Sequence, residues 1–153
     1  MPTQKQVLNA VPTRLLIGGQ WRDAASGETF AVTDPATGST LAQVSDATIA
    51  DGAQALDAAV AARSDWAAVP PRERSEILRR AFETLTARTE EFALLITLEM
   101  GKPLAEARGE VAYGAEFFRW FAEEAVRVSG RWSTAPNGAS RLLTMKQPVG
   151  PVL

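Results

Sequence analysis

The chemistry open to this chain is bounded first by two side chains that it lacks. It has no cysteine and no histidine. Thiolate nucleophiles, imidazole bases and Cys/His zinc centres are excluded within its residues. Asp, Glu, Lys, Ser, Thr and Tyr remain. Lys102, between Gly101 and Pro103, could meet a phosphate or a carboxylate. The stronger reading is a solvated cation near a helix C-terminus, where the dipole favours it. Glu123 and Glu124 are adjacent carboxylates, but nothing sequestering surrounds them. Arg119 and Arg127 stand four residues to either side of Glu123, a spacing that predicts surface ion pairs worth about 0.3–0.5 kcal/mol each. Gly18-Gly19 and Gly150 lack the strand, loop and helix context of a phosphate-cradling fingerprint, so they read as turn glycines.

The scaffold that must carry these groups has 153 residues, 46% of them apolar and 22% charged. That is the size and composition of one ordinary globular domain. Sixteen basic and 18 acidic residues give a net charge of −2. No lopsided field draws in nucleic acid or an anionic membrane. No apolar run reaches the ~18 residues that a spanning helix needs. Residues 1–13 hold one lysine and no stretch of signal-peptide length, so neither a secretory nor a transit segment is expected, and the expected location is cytoplasmic.

Residues 1–13 show no clear period and read as an N-terminal arm. Arg14–Trp21 predicts a short strand, a Gly18-Gly19 turn and a second strand. Thr29–Thr33 and Thr40–Val44 predict two more strands around the turn Asp34-Pro35-Ala36-Thr37-Gly38, giving a small antiparallel meander. Helical periodicity follows. The first helix starts at Asp46 or Thr48, runs to about Arg63, and carries Ile49, Ala53, Leu56, Ala59 and Val60 on one stripe. A second starts near Pro71 and buries Ile77, Leu78, Ala81, Phe82 and Leu85. A third opens at Thr89, ahead of Glu90 and Glu91, and stops at Gly101. A fourth runs from Pro103 to about Val128. Gly109 and Gly114 interrupt it, which close packing against a neighbour or a bend would explain. Arg131–Ala139 reads as loop with a Pro136-Asn137-Gly138 turn, and Ser140–Gln147 as a strand. The chain stops on Val152-Leu153, which read as the start of a buried strand. The expectation is a polypeptide that continues in a parent protein.

Several stretches, in order, carry a resemblance. Leu16-Ile17-Gly18-Gly19-Gln20-Trp21, Thr33-Asp34-Pro35-Ala36-Thr37-Gly38, Leu56–Trp66, Thr97–Ala107, Glu110-Val111, Trp120-Phe121-Ala122-Glu123-Glu124 and Lys146–Val152 together resemble the aldehyde dehydrogenase superfamily. The wording of Glu99–Ala107 and Trp120–Glu124 is most similar to its succinate-semialdehyde dehydrogenase branch. The resemblance implies an α+β fragment of a larger α/β fold, with small antiparallel strands, four helices and a projecting strand arm. It divides the chain into an N-terminal arm at 1–13 and the N-terminal part of a cofactor-binding domain at 14–129. An oligomerisation arm strand follows at 130–147, and the truncated start of the dinucleotide fold's first strand at 148–153.

For the parent, the resemblance implies NAD- or NADP-dependent oxidation of succinate semialdehyde, or a related aldehyde, to the acid, in a homo-oligomer joined through the arm. The catalytic cysteine and glutamate, the oxyanion asparagine and the Gly-rich cofactor turn all fall outside these residues. No catalytic or cofactor-binding residue is therefore expected here, and the chain alone is expected to be inactive and without cofactor. The alternatives are a non-catalytic helical interaction module and an inactive truncated gene product. The family further implies a monovalent-cation site at Glu99 with the backbone carbonyls of Val32 and Thr33, against the plainer reading of a solvated Glu99. Among the aromatic residues of the fourth helix, Tyr113 is the candidate for lining a substrate tunnel. Core packing is the stronger reading of Phe117, Trp120 and Phe121, which share a face.

Overall fold

The computed structural model describes residues 1–152. Two β-hairpins lie between residues 15 and 45. Strands β1 (Leu15–Ile17) and β2 (Gln20–Arg22) pair antiparallel across Gly18 and Gly19. Both glycines have positive φ, 59° and 78°, as a two-residue turn matched to strand twist requires. Strands β3 (Thr29–Thr33) and β4 (Thr40–Ser45) pair through an Asx turn. Asp34 Oδ1 accepts from Ala36 N at 2.8 Å, its Oδ2 accepts from Thr37 Oγ1 at 3.1 Å, and Gly38 takes φ 72°. The expected meander is instead two separate two-stranded sheets. The loop after β2 is held against a helix through the Ala25 amide, which carries the chain away from the β2 edge.

The described residues form five α-helices, one more than expected. The addition is α1 (Gln4–Ala10), inside the segment read as an arm. Thr3 and Gln6 close a reciprocal capping box that satisfies two end amides, and Val7 is buried. Helix α2 spans Ile49–Ala68, five residues beyond the expected end at Arg63. Helix α3 (Pro71–Ala87) starts at its proline as expected. Helix α4 (Thr89–Met100) begins one residue earlier than a Thr89 cap would allow, because Thr89 Oγ1 donates back to Thr86 O at 2.7 Å instead of capping. Helix α5 (Leu104–Glu124) ends in a 3-10 turn at Ala125–Arg127.

Helix α5 packs on α3 and α4, and α1 rests on α4. The core between α4 and α5 is made of Ala93, Ala107 and Val111, with Phe92, Ile96 and Leu104 against it. Ala93 and Ala107 are fully buried. Small side chains at this crossing bring the two helices close, while the larger apolar residues lie at its edges. Gly101 ends α4 at φ 75° and donates to Thr97 O at 2.9 Å. A Cβ there would lie 3.3 Å from Pro35 Cγ, so the helix end rests on the β3–β4 turn.

Several apolar faces stay open. On α2 the predicted stripe exists, but Ile49 is 95% exposed and Leu56 and Val60 are also exposed. Core packing of the α5 aromatics is overturned as well: Phe117, Trp120 and Phe121 are all exposed. The packed side of α5 is the small-residue line Ala107, Val111, Ala115 and Ala122, and the aromatics point the other way. Gly109 and Gly114 meet no neighbour within 4 Å of a built Cβ. The expected pairs through Glu123 are replaced by Arg119–Glu116 at 2.7 Å and Arg127–Glu124 at 2.5 Å, both one turn back along the helix.

Strands β5 (Arg131–Thr134) and β6 (Arg141–Thr144) form a third hairpin. The segment read as loop is therefore a strand, and β6 takes its partner from its own chain. All eight of these strand residues are exposed. Residues 148–152 form no regular element, and Leu153, the last residue of the expected strand, lies outside the described residues.

Replacing Gly101 with Ala would force a Cβ into the left-handed region and against Pro35. A loss of about 1–2 kcal/mol in urea unfolding is expected, and an unchanged midpoint would show that the turn has room to yield.

Candidate functional site

The densest polar constellation in the fold lies at the N-terminus of α2. Asp51 is 3% exposed. Its carboxylate accepts from Thr48 N at 2.9 Å, Thr48 Oγ1 at 2.7 Å and Ala25 N at 3.1 Å. Thr48 Oγ1 in turn accepts from Asp51 N at 3.2 Å. The bonds from the Thr48 backbone and hydroxyl and from the Ala25 amide, helped by the charge of Arg22, hold the carboxyl below the usual aspartate range. This group ties the β2–β3 loop to α2 and is a positioning device rather than an acid. Thr48 was foreseen as a cap, whereas Asp51 was missed. The Thr48-x-x-Asp51 spacing was the available local signal, but its second partner, Ala25, is 26 residues away.

The residues expected to hold a cation fall around the joint between α4 and the β3–β4 hairpin. Glu99 is exposed in the last turn of α4, two residues before Gly101 meets Pro35. Val32 pairs with Ala42 but Thr33 with Thr40, so Leu41 is an extra residue in the ladder. A bulge of this kind leaves backbone groups outside regular pairing. Among the described residues no three acidic side chains cluster as a metal cage would need. Any ion here would rest on one carboxylate and on carbonyl oxygens, a donor set suited to a hard cation.

Lys102, weighed as an anion contact, is ion-paired with Glu110 and joins the loop after α4 to α5. A second bridge between these helices is bidentate. Arg108 Nε lies 2.8 Å from Glu90 Oε1, and its Nη2 lies 2.9 Å from Oε2. The guanidinium holds the Glu90 carboxyl below its ordinary range, and Arg108 is raised in turn.

Tyr113 is exposed on the open face of α5. Its ring meets Phe117 edge-on, with centroids 5.1 Å apart. With Trp120 and Phe121 it lines a shallow, mostly apolar groove of about 350 Å³. Gly18 and Gly19 sit in a hairpin turn, so they present no helix N-terminus to a phosphate.

The depressed Asp51 carboxyl sets a direction with pH. Its stabilisation is complete above the unfolded value of about 3.9 and fades as pH falls through the lower folded value. Asp51→Asn should lower the urea midpoint at neutral pH and lose less on acidification than the parent chain does. Parallel pH profiles for the two would remove Asp51 from this role.

Residues 21–153 match the aldehyde dehydrogenase family. A succinate-semialdehyde dehydrogenase of Paenarthrobacter nicotinovorans is 66% identical over 93 residues, covering 61% of this chain and 21% of that protein. An NADP(+) succinate-semialdehyde dehydrogenase of Escherichia coli K12 is 42% identical over 142 residues, covering 93% and 30%. The crystal structure of a succinate-semialdehyde dehydrogenase from Burkholderia pseudomallei superposes with a TM-score of 0.85 at 45% identity, covering 90% of this chain and 28% of that one. The chain thus spans less than a third of the length of each of these relatives. Over these residues the sequence match and the superposed fold agree, and the chain belongs to the aldehyde dehydrogenase family.

Proposed function

We propose that this chain is the N-terminal portion of an NAD(P)-dependent dehydrogenase that oxidises succinate semialdehyde to its acid. The observation that carries this reading is the likeness to succinate-semialdehyde dehydrogenases along most of the chain, at 42% identity over 142 residues in the E. coli protein. In the parent, the nicotinamide supplies the hydride acceptor. The residues of this chain include no thiol to attack an aldehyde. Their work is mechanical. The α3–α4–α5 layer and the Asp51 tie hold a rigid edge against which a nucleotide-binding sheet would pack. The open aromatic face of α5 supports the same reading, because an apolar face this size calls for a cover. Tyr113 on that face would border the aldehyde's path. A cytoplasmic site of action fits a chain in which no described helix is long and apolar enough to cross a membrane.

The β5–β6 hairpin would serve as the oligomerisation arm of the parent. Its outward apolar side chains Trp132, Leu142 and Leu143 and its two free strand edges suit pairing with a second subunit.

A chimera tests the catalytic reading. This chain would replace the matching segment of the E. coli relative. The chimera should oxidise succinate semialdehyde with NADP at rates within about tenfold of the E. coli protein and favour it over glutarate semialdehyde, while the 153-residue chain alone gives no reduced nicotinamide. An assembled but inactive chimera, or one that prefers the longer substrate, would overturn the assignment.

The cation reading belongs to the same proposal: Glu99, with the carbonyls of Val32 and Thr33, holds a potassium-like ion that braces the α4 end. In the chimera, potassium should raise the melting temperature relative to tetramethylammonium, and Glu99→Ala should abolish that difference. Equal responses in both proteins would leave Glu99 a solvated surface residue.

A further inference from the structure

The tip of the third hairpin has a chemistry of its own. The chain has two asparagines, Asn9 and Asn137. Asn9 lies within α1, ahead of Ala10, where regular helix geometry keeps each side-chain carbon away from the next backbone nitrogen. Asn137 lies in the exposed β5–β6 turn, followed by Gly138 at φ 73°. Nothing lies within 4 Å of the position a Cβ would take on Gly138. No side chain crowds the residue after Asn137, and glycine leaves the backbone there wide conformational freedom once its turn hydrogen bond opens. The Asn137 side-chain oxygen accepts from Ala139 N at 3.0 Å. That bond draws electrons from the amide carbon and would stabilise negative charge developing on the oxygen during attack.

We infer that Asn137 is a spontaneous modification site, with the Gly138 nitrogen as nucleophile and water as co-reactant. The Gly138 N–H gives its proton to hydroxide as its hydrogen bond to Ala135 O (2.8 Å) opens. Its nitrogen forms a bond to the Asn137 side-chain amide carbon. The bond from that carbon to the side-chain nitrogen breaks, and ammonia leaves with a proton from water. The cyclic imide then adds water. Opening at the side-chain carbon gives aspartate in the original backbone. Opening at the main-chain carbon gives isoaspartate, with one extra atom in the chain path. No electron transfer is involved; the net change is amide plus water to acid plus ammonia. Either product places a carboxylate at the tip of a hairpin whose first rung is Thr134 opposite Arg141. Arg141 donates to Thr134 Oγ1 at 3.1 Å, and its guanidinium lies 5.6 Å from the Trp132 ring centroid. The new charge competes for that guanidinium, and the longer backbone loosens the rung.

The 153-residue chain, incubated at mildly alkaline pH and digested with trypsin, reports both asparagines, in the peptides Gln6–Arg14 and Trp132–Arg141. The second should gain the mass of an amide-to-acid exchange at least about tenfold faster than the first, as expected for a well-placed intramolecular attack. It should split into two chromatographic forms, at a rate that rises with hydroxide. Gly138→Ala should slow the conversion, and Asn137→Gln should abolish it. Equal conversion of the two peptides, or a rate unchanged by Gly138→Ala, would overturn the assignment.

Discussion

The layout depends on the approach of α4 and α5 through alanine. Ala93 and Ala107 are fully buried where the two helices meet, and bulkier residues sit only around the margin. A larger side chain at either position would push the helices apart and spoil the seat of α3 and α1, both of which pack on this pair. The polar ties serve the same pair. Arg108–Glu90 and Lys102–Glu110 cross from one helix region to the other, where a shift along the axes would break them.

A second set of contacts ties the hairpins and their loops to α2, to the end of α4 and to the segment before β1. Asp51 gathers the β2–β3 loop onto α2, Gly101 leans on Pro35, and Ser45 N bonds to Thr13 O at 2.9 Å. Each contact joins residues far apart in the chain, and each uses a buried polar group or a glycine where a bulkier residue would collide. The residues proposed to hold a cation flank one of these joints, where Gly101 meets Pro35.

The local grammar of the chain was largely legible. Gly18-Gly19, Asp34 through Gly38, Pro71 and Gly101 each dictate a turn, a start or a stop through their own backbone limits, and each does so here. Strand β5 escaped notice because Arg131–Thr134 has no apolar alternation, and its pairing comes from the partner strand. Helix α1 escaped because its Thr3–Gln6 box is short and stands beside a single buried residue, Val7. Helix α5 departs furthest from its sequence pattern. Helical spacing shows that Phe117, Trp120 and Phe121 share a face, but it cannot say whether the chain possesses anything to lay upon that face. The same holds for Glu99, Val32 and Thr33: their place beside one joint follows from the fold, whereas the proposal that they act as ligands rests on family likeness alone.

The isolation of α2 has a consequence for the time course of solvent access. Its first turn is pinned by Asp51 and Thr48, while most of its length faces water. Its amides should therefore open from the Trp66 end inwards and trade deuterium well before those beneath the Ala93–Ala107 contact. Twenty residues of helix would thus behave as a hinged flap on a slower-exchanging base.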